Sequence, residues 1–443
     1  MTRAEARPMQ FAARGPLKGS LALPGDKSIA HRALMLSALA VGESRISNLS
    51  EGSDVLSTAA ALSAMGARIS AGADGTWDVS GVGVGGLLQP QSAFDMGNSG
   101  TSARLLMGLV ATHDITATFI GDASLSRRPM ERVIGPLRRA GARITASPRG
   151  RLPLVVQGTC PSVPQAHRLE IASAQVKSAL LLAGLNTPGV TEVVTPVPSR
   201  DHTERMLKLF GAEIEVSMSE SGERRILLRG EAELSPQRIE VPGDPSSAAF
   251  LAVAALIVPG SEVTLSGIGA NPMRVGLFEL LKEMGGDLEF SNRRELSGER
   301  VADLRVRHSA LTGIDVPPEL VPAMIDEFPI FFVAAAFAQG TSRAHGLSEL
   351  RVKESDRVSA MARGLQVIGV TAQESEDGLL VEGLGGAPLP GGATVSSELD
   401  HRVAMSFAVA GLGCSEAITV DDMSPVSTSF PGFAAALDRL SPP

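Results

Sequence analysis

Lysine and arginine stand beside small polar residues in several short stretches of the sequence, each leading into an apolar run. The first, "LPGDKSIAHR" at 23–32, carries Lys27, Ser28 and Arg32. Arginine can hold a carboxylate or phosphate through two hydrogen bonds, and the N–H groups at a helix start attract anions. These residue types predict binding of small anions. A polar residue at such a place can also be an ordinary helix cap, and only the charges beyond the cap favour a ligand.

Similar stretches recur along the chain. They are "GNSGTSAR" at 97–104, "GDASLSRRPMERV" at 121–133, "SAQVK" at 173–177, "SRDHTER" at 199–205, "DEF" at 326–328, "ELRVKESDRV" at 349–358 and "DHR" at 400–402. The last three contain carboxylates, and "DEF" has no lysine or arginine.

Several of these stretches have a simpler explanation. Lys353, Glu354 and Arg357 are three or four residues apart and could form a surface ion-pair row on one helix. Asp326 could be only a helix cap with a favourable dipole interaction. In the same way, Arg128 could cap a loop before Pro129, and Arg402 could pair with Asp400. The sequence alone leaves these alternatives open.

Other kinds of site are not indicated. "GVGVGG" at 81–86 fits G-x-G-x-x-G, but no helix opens after it, as a dinucleotide site requires. The phosphate-binding pattern G-x-x-x-x-G-K-[ST] is absent, and the histidines have no metal-ligand spacing. We therefore expect no metal ion.

Composition narrows the class of protein. The 443 residues suffice for about two domains. A net charge of −8 and the absence of tyrosine argue against nucleic-acid binding. Cys160 and Cys414 lie far apart and are interpreted as reduced thiols. The N-terminal residues lack a signal-peptide core, and the longest apolar run, 328–338, is too short for a membrane span. We expect a cytoplasmic protein that binds no membrane.

The polar stretches belong to six internal repeats. Each begins with a polar cap, an apolar helix, a Gly or Pro stop and a β-branched run. The expected caps are 72, 75, 71, 82 and 74 residues apart and are Asp26, Asn98, Ser173, Asp244, Asp326 and Asp400. A second, amphipathic helix in each of five repeats ends at a glycine, namely Gly66, Gly141, Gly211, Gly285 and Gly369.

The two helix types predict the architecture. A helix that is apolar all round is buried, and one with a single apolar stripe lies on a surface. We therefore expect an α/β fold of two similar lobes, each with three repeats, buried helices inside and sheets outside. Residues 24–241 would form the N-terminal lobe, and 1–23 with 242–443 the C-terminal lobe. The buried helices of a lobe would start at the same end, so that facing lobes enclose an anion-attracting cleft.

Several motifs, taken together, resemble one family. "PGDKSIAHRA", "GNSGTSARLL", "GDASLSRRPM", "SAQVKSALLLAGL", "RVKESDR" and "LDHRVAMSF" are similar to the 5-enolpyruvylshikimate-3-phosphate synthases, in order along nearly the whole chain. S-A-Q-x-K and R-x-H-x-E indicate the second class of that family. The resemblance implies lobes of three βαβαββ units, an inverse α/β barrel. It also implies transfer of the enolpyruvyl group of phosphoenolpyruvate to the 5-hydroxyl of shikimate 3-phosphate, in aromatic amino-acid biosynthesis.

The resemblance also implies which residues form the active site in the cleft between the lobes. For shikimate 3-phosphate they are Lys27, Ser28, Arg32, Ser173, Ala174, Gln175, Arg200, Asp326 and Lys353. For phosphoenolpyruvate they are Lys27, Gly100, Arg128, Gln175, Arg357 and Arg402. Asp326 would be the base for the hydroxyl, and Glu354 with Lys27 the proton donor. No metal or organic cofactor is implied, and we expect a monomer.

Two positions bear on specificity. Glyphosate-tolerant class-two relatives have alanine where this chain has Gly100, so we expect glyphosate to inhibit it. Class-two relatives often carry N-x-T-R, whereas this chain has Asn271, Pro272, Met273 and Arg274. Any contribution of that threonine hydroxyl is lost here.

Two other functions are considered. The sister enzyme that transfers enolpyruvyl to UDP-N-acetylglucosamine resembles this fold but uses a cysteine on a loop of the first lobe. The loop at 121–133 has no cysteine, and Cys160 lies beyond it. A non-catalytic phosphosugar-binding protein is the second alternative, and it would have no need of Asp326 and Glu354.

Overall fold

A computed structural model describes residues 6–441. Its helices, in chain order, are α1 (Lys27–Leu39), α2 (Ser53–Ala64), α3 (Gly100–Ala111), α4 (Glu131–Arg139), α5 (Ala174–Leu185), α6 (His202–Leu209), α7 (Pro245–Ile257), α8 (Gly276–Glu283), α9 (Val321–Met324), α10 (Phe328–Phe337), α11 (Arg357–Val367), α12 (His401–Gly411) and α13 (Phe433–Leu440).

The strands, in chain order, are β1 (Met9–Phe11), β2 (Lys18–Ala22), β3 (Glu43–Ser47), β4 (Arg68–Ala71), β5 (Trp77–Ser80), β6 (Phe94–Asp95), β7 (Thr116–Ile120), β8 (Arg143–Ser147), β9 (Arg151–Gln157), β10 (Ala166–Arg168), β11 (Val190–Thr195), β12 (Ile214–Met218), β13 (Arg224–Arg229), β14 (Arg238–Glu240), β15 (Glu262–Gly269), β16 (Asp287–Leu296), β17 (Glu299–Arg307), β18 (Gln339–Ala344), β19 (Ala372–Glu374), β20 (Leu379–Leu384), β21 (Leu389–Gly391), β22 (Thr394–Val395), β23 (Cys414–Glu416) and β24 (Ile418–Val420).

These elements form two compact units. The N-terminal unit consists of Gly25–Val241 and the hairpin tip Glu295–Glu299. The described residues of the C-terminal unit are 6–24, 242–294 and 300–441. Each unit has its own hydrophobic core.

The N-terminal unit repeats one sheet topology three times. Its four-stranded sheets have the orders β6-β7-β9-β8, β10-β11-β13-β12 and β14-β3-β5-β4. In each, the first pair is parallel and the other two pairs are antiparallel. A helix joins the parallel strands of the first two sheets, as a parallel connection requires. The predicted βαβαββ repeat is confirmed.

Two strands are exchanged between the units. Strand β2 leads directly into α1 but pairs in parallel with β15 of the C-terminal unit, from Lys18 opposite Glu262. Strand β14 leads directly into α7 but pairs in parallel with β3, from Arg238 opposite Arg45. The sheet β16-β17-β15-β2 therefore has the same order as its N-terminal counterparts, with its edge strand taken from the start of the chain.

The apolar helix of each repeat lies inside its unit. Every residue of α7, α10 and α12 is buried, and the helices α1, α3 and α5 are buried beyond their first turns, apart from the half-buried Arg104 of α3. Inward-facing strand residues such as Val79 and Ile226 join the same core. Helices inside and sheets outside give the inverse α/β fold expected from the repeats.

The helix ends follow the sequence closely. Gly66, Gly141, Gly211, Gly285 and Gly369 all have φ between 85° and 113°. That left-handed conformation is the common C-terminal stop of a helix and favours glycine. Asp26, Ser173, Asp244 and Asp400 are side-chain caps, as predicted.

Two predicted caps are wrong. Ser99, rather than Asn98, caps α3 by accepting a hydrogen bond from the Ser102 N–H, while the Asn98 amide donates to Asp122. Helix α10 begins two residues after Asp326, and its N-cap Glu327 makes no capping hydrogen bond. Asp326 instead contacts cations of a distant segment, because an ionised carboxylate gains more there than from a helix start.

The structure also tests the glycine-rich stretch and the longest apolar run. The "GVGVGG" stretch forms turns without a following helix. In the described residues no single helix has the length and apolarity to cross a membrane, although the sharply bent pair Pro318–Met324 and Phe328–Phe337 meets those criteria jointly.

Candidate active site

The start of α1 places a lysine among acidic side chains. Asp26 caps the helix by accepting from the Ile29 N–H at 3.0 Å. Lys27, the first helical residue, donates to Asp54 Oδ2 at 2.9 Å, and its side chain keeps 16% of its exposure. Asp54 comes from the first turn of α2, and sequence reasoning missed it. Lys27 is thus held in place but remains within reach of a ligand.

Arg32 lies one turn further into α1 and is buried. Its Nε donates to Thr203 Oγ1 at 2.6 Å, its Nη2 to Ser178 Oγ at 2.7 Å and its Nη1 to the Ser28 carbonyl at 2.7 Å. Burial lowers the pKa of the Arg32 guanidinium from 12.5 to about 10. Arg32 therefore joins the starts of α1, α5 and α6 and stays cationic at neutral pH.

The S-A-Q-x-K and R-x-H-x-E motifs meet in a buried ion pair. Lys177 Nζ lies 2.7 Å from Glu204 Oε1, and both side chains are almost fully buried. The same ammonium donates to the Arg200 carbonyl at 2.8 Å. Burial lowers the pKa of Lys177, and Glu204 opposes that shift. The pair fixes the backbone at Arg200, a role that the sequence did not predict for Lys177.

The starts of α3 and α5 share a hydrogen-bonded glutamine. Ser173 caps α5, and two residues later Gln175 donates to Thr101 Oγ1 at 3.0 Å. Its Oε1 accepts from Arg104 Nη1 at 2.8 Å. The buried helices of this unit therefore start at the same end, as expected. Arg104 was visible in "GNSGTSAR" but was not assigned to the site.

Gly100 and Arg128 lie against one another. Arg128 is buried and donates to Asn98 Oδ1 and to Ser124 Oγ, so it does more than cap its loop. A Cβ atom at Gly100 would lie 2.7 Å from Arg104 Nη1 and 3.1 Å from Arg128 Nη1. Because both atoms are ends of flexible side chains, an alanine would displace the guanidinium groups rather than the backbone.

The C-terminal unit gathers three carboxylates around one arginine. Arg357 donates to Asp400 Oδ2 at 2.8 Å and to Glu354 Oε2 at 2.7 Å, and its Nη1 lies 3.4 Å from Asp326 Oδ1. Lys353 Nζ donates to the same Asp326 oxygen at 3.2 Å. The candidate base and proton donor thus lie in one charge network.

That geometry corrects two expectations. Lys353 and Glu354 precede α11, which begins at Arg357, so the three residues do not share a helix. Arg357 is 1% exposed and belongs to no surface row. Burial alone would lower its pKa, but Asp400, Glu354 and Asp326 outweigh burial and raise that pKa above its ordinary value. Asp400 forms its ion pair with Arg357. Arg402 contacts Asp400 through its backbone N–H and not through its guanidinium.

Arg402 is held through one of its nitrogens. Its Nη1 donates to the Asp326 carbonyl at 2.8 Å and lies 3.3 Å from Glu327 Oε1. The starts of α10 and α12 therefore meet, as the starts of α3 and α5 do. Glu327 was quoted in the sequence only as part of "DEF", and its contact with Arg402 went unrecognised.

The predicted site residues fall into two sets. The N-terminal set, within the N-terminal unit, is Lys27, Ser28, Arg32, Gly100, Arg128, Ser173, Ala174, Gln175 and Arg200. The C-terminal set, within the C-terminal unit, is Asp326, Lys353, Glu354, Arg357 and Arg402. Among the residues described, no group of three or more His, Cys, Asp or Glu side chains is arranged to hold a metal ion.

Comparison with known proteins gives a consistent result. The family model described as EPSP synthase (3-phosphoshikimate 1-carboxyvinyltransferase) matches residues 11–437. A 3-phosphoshikimate 1-carboxyvinyltransferase of Sphingopyxis alaskensis is 64% identical, over 99% of this chain and 100% of the relative. One from Novosphingobium aromaticivorans is 63% identical, with the same coverage.

Solved structures agree. EPSP synthase from Acinetobacter baumannii is 43% identical with a TM-score of 0.86, covering 98% of both chains. The enolpyruvyl transferase NikO from Streptomyces tendae is 17% identical with a TM-score of 0.77 over 98% of both chains, a likeness of fold alone. With a family match over nearly the whole chain and relatives above 60% identity, the chain belongs to the EPSP synthase family, the 3-phosphoshikimate 1-carboxyvinyltransferases.

Proposed function

We propose that this chain transfers the carboxyvinyl group of phosphoenolpyruvate to the 5-hydroxyl of shikimate 3-phosphate and releases phosphate. Family membership supports the activity. The observation that carries the residue assignment is the network of Asp326, Glu354, Lys353 and Arg357, in which two carboxylates contact two cations. An enzyme that moves protons while it holds anions needs both kinds of group together.

The N-terminal set supplies most of the shikimate 3-phosphate contacts in this proposal. Ser28, Arg32 and the α5 start meet the substrate, and Arg200 contributes its guanidinium. The fixed positions of Arg32 and of the Arg200 backbone support this role, since preorganised cations lose little on binding. Lys353 and Asp326 of the C-terminal set complete the group.

Phosphoenolpyruvate takes residues from both sets. Lys27, Gly100, Arg128 and Gln175 come from the N-terminal unit, and Arg357 and Arg402 from the C-terminal unit. Because neither unit carries the full complement, we propose that the two sets act together on one pair of substrates. The expectation of one active site formed by both lobes, 24–241 and 1–23 plus 242–443, is thus part of this proposal.

The reaction runs as an addition followed by an elimination. Asp326 accepts the proton of the 5-hydroxyl while the hydroxyl oxygen bonds to C2 of phosphoenolpyruvate. Glu354 or Lys27 protonates C3. In the second stage the group that protonated C3 takes a proton back from C3, the C2–C3 double bond re-forms as the C2–O bond to phosphate breaks, and phosphate departs toward Lys27. Arg357 contacts three carboxylates, and an anionic group of the substrate that takes the place of Glu354 and Asp326 on it makes both carboxylates available for proton transfer.

The test is phosphate release from the purified chain, with both substrates together and with each alone. Release that requires both establishes the transferase. No release from a folded protein with both substrates rejects it. UDP-N-acetylglucosamine in place of shikimate 3-phosphate then tests the sister reaction, which the family match and the cysteine-free loop at 121–133 do not favour.

Three finer expectations remain part of the proposal. Glyphosate inhibits at concentrations near the phosphoenolpyruvate KM, because Gly100 has no methyl group to crowd the inhibitor beside Arg128. A Gly100→Ala change adds a methyl group beside Arg128 and weakens inhibition.

We also propose that the chain is a monomer and that it is cytoplasmic. Sedimentation tests the oligomeric state, and cell fractionation tests the location.

A further inference from the structure

Glu327 is a buried carboxylate that the proposed reaction does not use. It follows the candidate base Asp326 directly and stands at the N-cap of α10, where it makes no capping hydrogen bond. Only 2% of the residue is exposed. A buried carboxylate is costly unless it is paired, so its partners indicate why it is there.

One oxygen of Glu327 receives two partners. The Ser246 hydroxyl donates to Oε1, and Arg402 Nη1 lies 3.3 Å from the same atom. Ser246 belongs to the first turn of α7, a repeat start without lysine or arginine. Glu327 therefore joins the start of α7 to an arginine that we assign to phosphoenolpyruvate.

A second arginine completes the network. Arg274 Nη2 donates to Ser246 Oγ at 3.0 Å and to Asp244 Oδ1 at 3.0 Å, and its side chain is 3% exposed. Two buried arginines thus alternate with two buried carboxylates. The Ser246 oxygen accepts a hydrogen bond from Arg274, so the Ser246 hydroxyl proton is directed to Glu327. The network is fixed in one arrangement by its hydrogen-bond directions.

Arg402 is oriented by this network. Its Nη1 has two acceptors, the Asp326 carbonyl at 2.8 Å and Glu327 Oε1 at 3.3 Å. Within residues 6–441 its Nε and Nη2 have no hydrogen-bond partner. A guanidinium fixed at one nitrogen presents its remaining donors in a defined plane, as two-point binding of a carboxylate or phosphate requires.

We infer that Glu327 is a positioning residue for phosphoenolpyruvate, acting through Arg402 with Ser246 and Arg274 as its support. This inference rests on the proposed function. A purely electrostatic role predicts the opposite effect, because removal of a negative charge beside Arg402 would strengthen its attraction for an anion. The sign of the change in the phosphoenolpyruvate KM therefore separates the two roles.

The experiment is steady-state kinetics of Glu327→Gln, which keeps the side-chain shape and removes the charge. We expect the KM for phosphoenolpyruvate to rise about tenfold, the loss of one charge-assisted hydrogen bond. The KM for shikimate 3-phosphate should stay within about twofold, because the Glu327 side chain contacts Ser246 and Arg402, neither of which is assigned to that substrate. Glu319→Gln, at an exposed glutamate eight residues earlier, is the matched control and should change neither KM.

A second pair of variants guards against a folding defect. Ser246→Ala removes only the hydroxyl between Arg274 and Glu327, and should raise the phosphoenolpyruvate KM about two- to fivefold. In an Arg402→Lys background, Glu327→Gln should add little, because residues in one network are not additive. A merely structural Glu327 would instead lower thermal stability equally in both backgrounds and leave the KM ratio unchanged.

The outcomes are distinct. An active wild type whose phosphoenolpyruvate KM is unchanged or lower in Glu327→Gln and unchanged in Ser246→Ala overturns the positioning role and leaves the proposed function intact. A wild type that releases no phosphate overturns both. A selective rise in that KM, absent in Glu319→Gln, supports the inference.

Discussion

The starts of α1 and α7 have the same Pro-Gly-Asp sequence and different surroundings. In both, an aspartate caps the helix, Asp26 for α1 and Asp244 for α7. The next residue is Lys27 in the first copy and Pro245 in the second. Lys27 keeps part of its side chain exposed, whereas Pro245 is fully inside its unit. One local structure thus presents a cation in one unit and only a packed surface in the other.

The polar side chains at the two helix starts also have different partners. At α7, Ser246 and Asp244 are occupied by Arg274 and Glu327, so every contact stays inside the protein. At α1, Lys27 donates a hydrogen bond to Asp54, and Arg32 donates one to Thr203. On the proposed assignment, the start of α7 contacts no ligand and still contributes to binding, because it supports Arg402 through Glu327.

The largest expected effect is on turnover at α1. Lys27→Met removes the ammonium that is assigned to both substrates, and we expect kcat to fall about 100- to 1,000-fold. Pro245→Ala is the equivalent change at α7 and should leave kcat unaltered, with a stability cost below about 1 kcal/mol. Phosphate-release kinetics measure both. Equal losses of kcat in the two variants would remove the functional distinction between the copies.

The caps of the two helices give a smaller contrast, in stability rather than in turnover, and here the larger effect is expected at α7. Asp26→Ala removes a capping hydrogen bond and should cost about 1 kcal/mol of unfolding free energy. Asp244→Ala also leaves the buried Arg274 without its carboxylate, and should cost about 3 kcal/mol or more. Urea unfolding followed by circular dichroism compares the two. A costlier Asp26→Ala would contradict the view that α7 carries the internal network.

The smallest effect is a pH dependence that α1 contributes and α7 does not. His31 is buried, and burial, followed by Lys27 and Arg32, lowers its pKa well below 6.5. The unfolded chain therefore binds a proton that the folded chain refuses as the pH falls below about 6.5. Folding stability should decrease there by up to about 1.4 kcal/mol per pH unit.

The variant that isolates this effect is His31→Gln, which can keep a hydrogen bond to Thr58. Between pH 7 and pH 5.5 it should lose about 1 kcal/mol less stability than the wild type. The α7 copy has Ala249 at the equivalent place and contributes no such dependence. Parallel stability curves for the wild type and the variant would show that His31 is not the titrating group.

The sequence predicted the repeats because they depend on local physics. Period, cap and stop are set within a few residues, so Gly66 and Gly285 could be recognised as helix stops before their φ angles were known. The cap at Asn98 failed because Ser99, one residue on, is an equally good cap. The choice between them depends on the contact of Asn98 with Asp122, 24 residues away.

The resemblance assigned residues to the proposed site, but the sequence did not indicate which other residues hold their side chains in position. Resemblance named Arg402 and Lys27, but their partners Glu327 and Asp54 carry no signal of their own in a single sequence. The pairing of Lys27 with Asp54 joins residues on two helices, and that of Glu327 with Ser246 spans 81 residues. Such contacts depend on how helices pack, which a periodic pattern does not encode.

The exchanged strand β2 has a consequence for synthesis of the chain. Its partner begins at Glu262, 244 residues after Lys18, so at about 5–20 residues per second β2 waits about 12–50 s on the ribosome. The N-terminal unit meanwhile gains its last sheet strand, β14, by residue 240. Through that interval β2 is an unpaired strand, and its sequence "KGSLA" is short and polar with a lysine at its start. Such a strand resists pairing with other nascent chains, which protects the protein while half of it is still unmade.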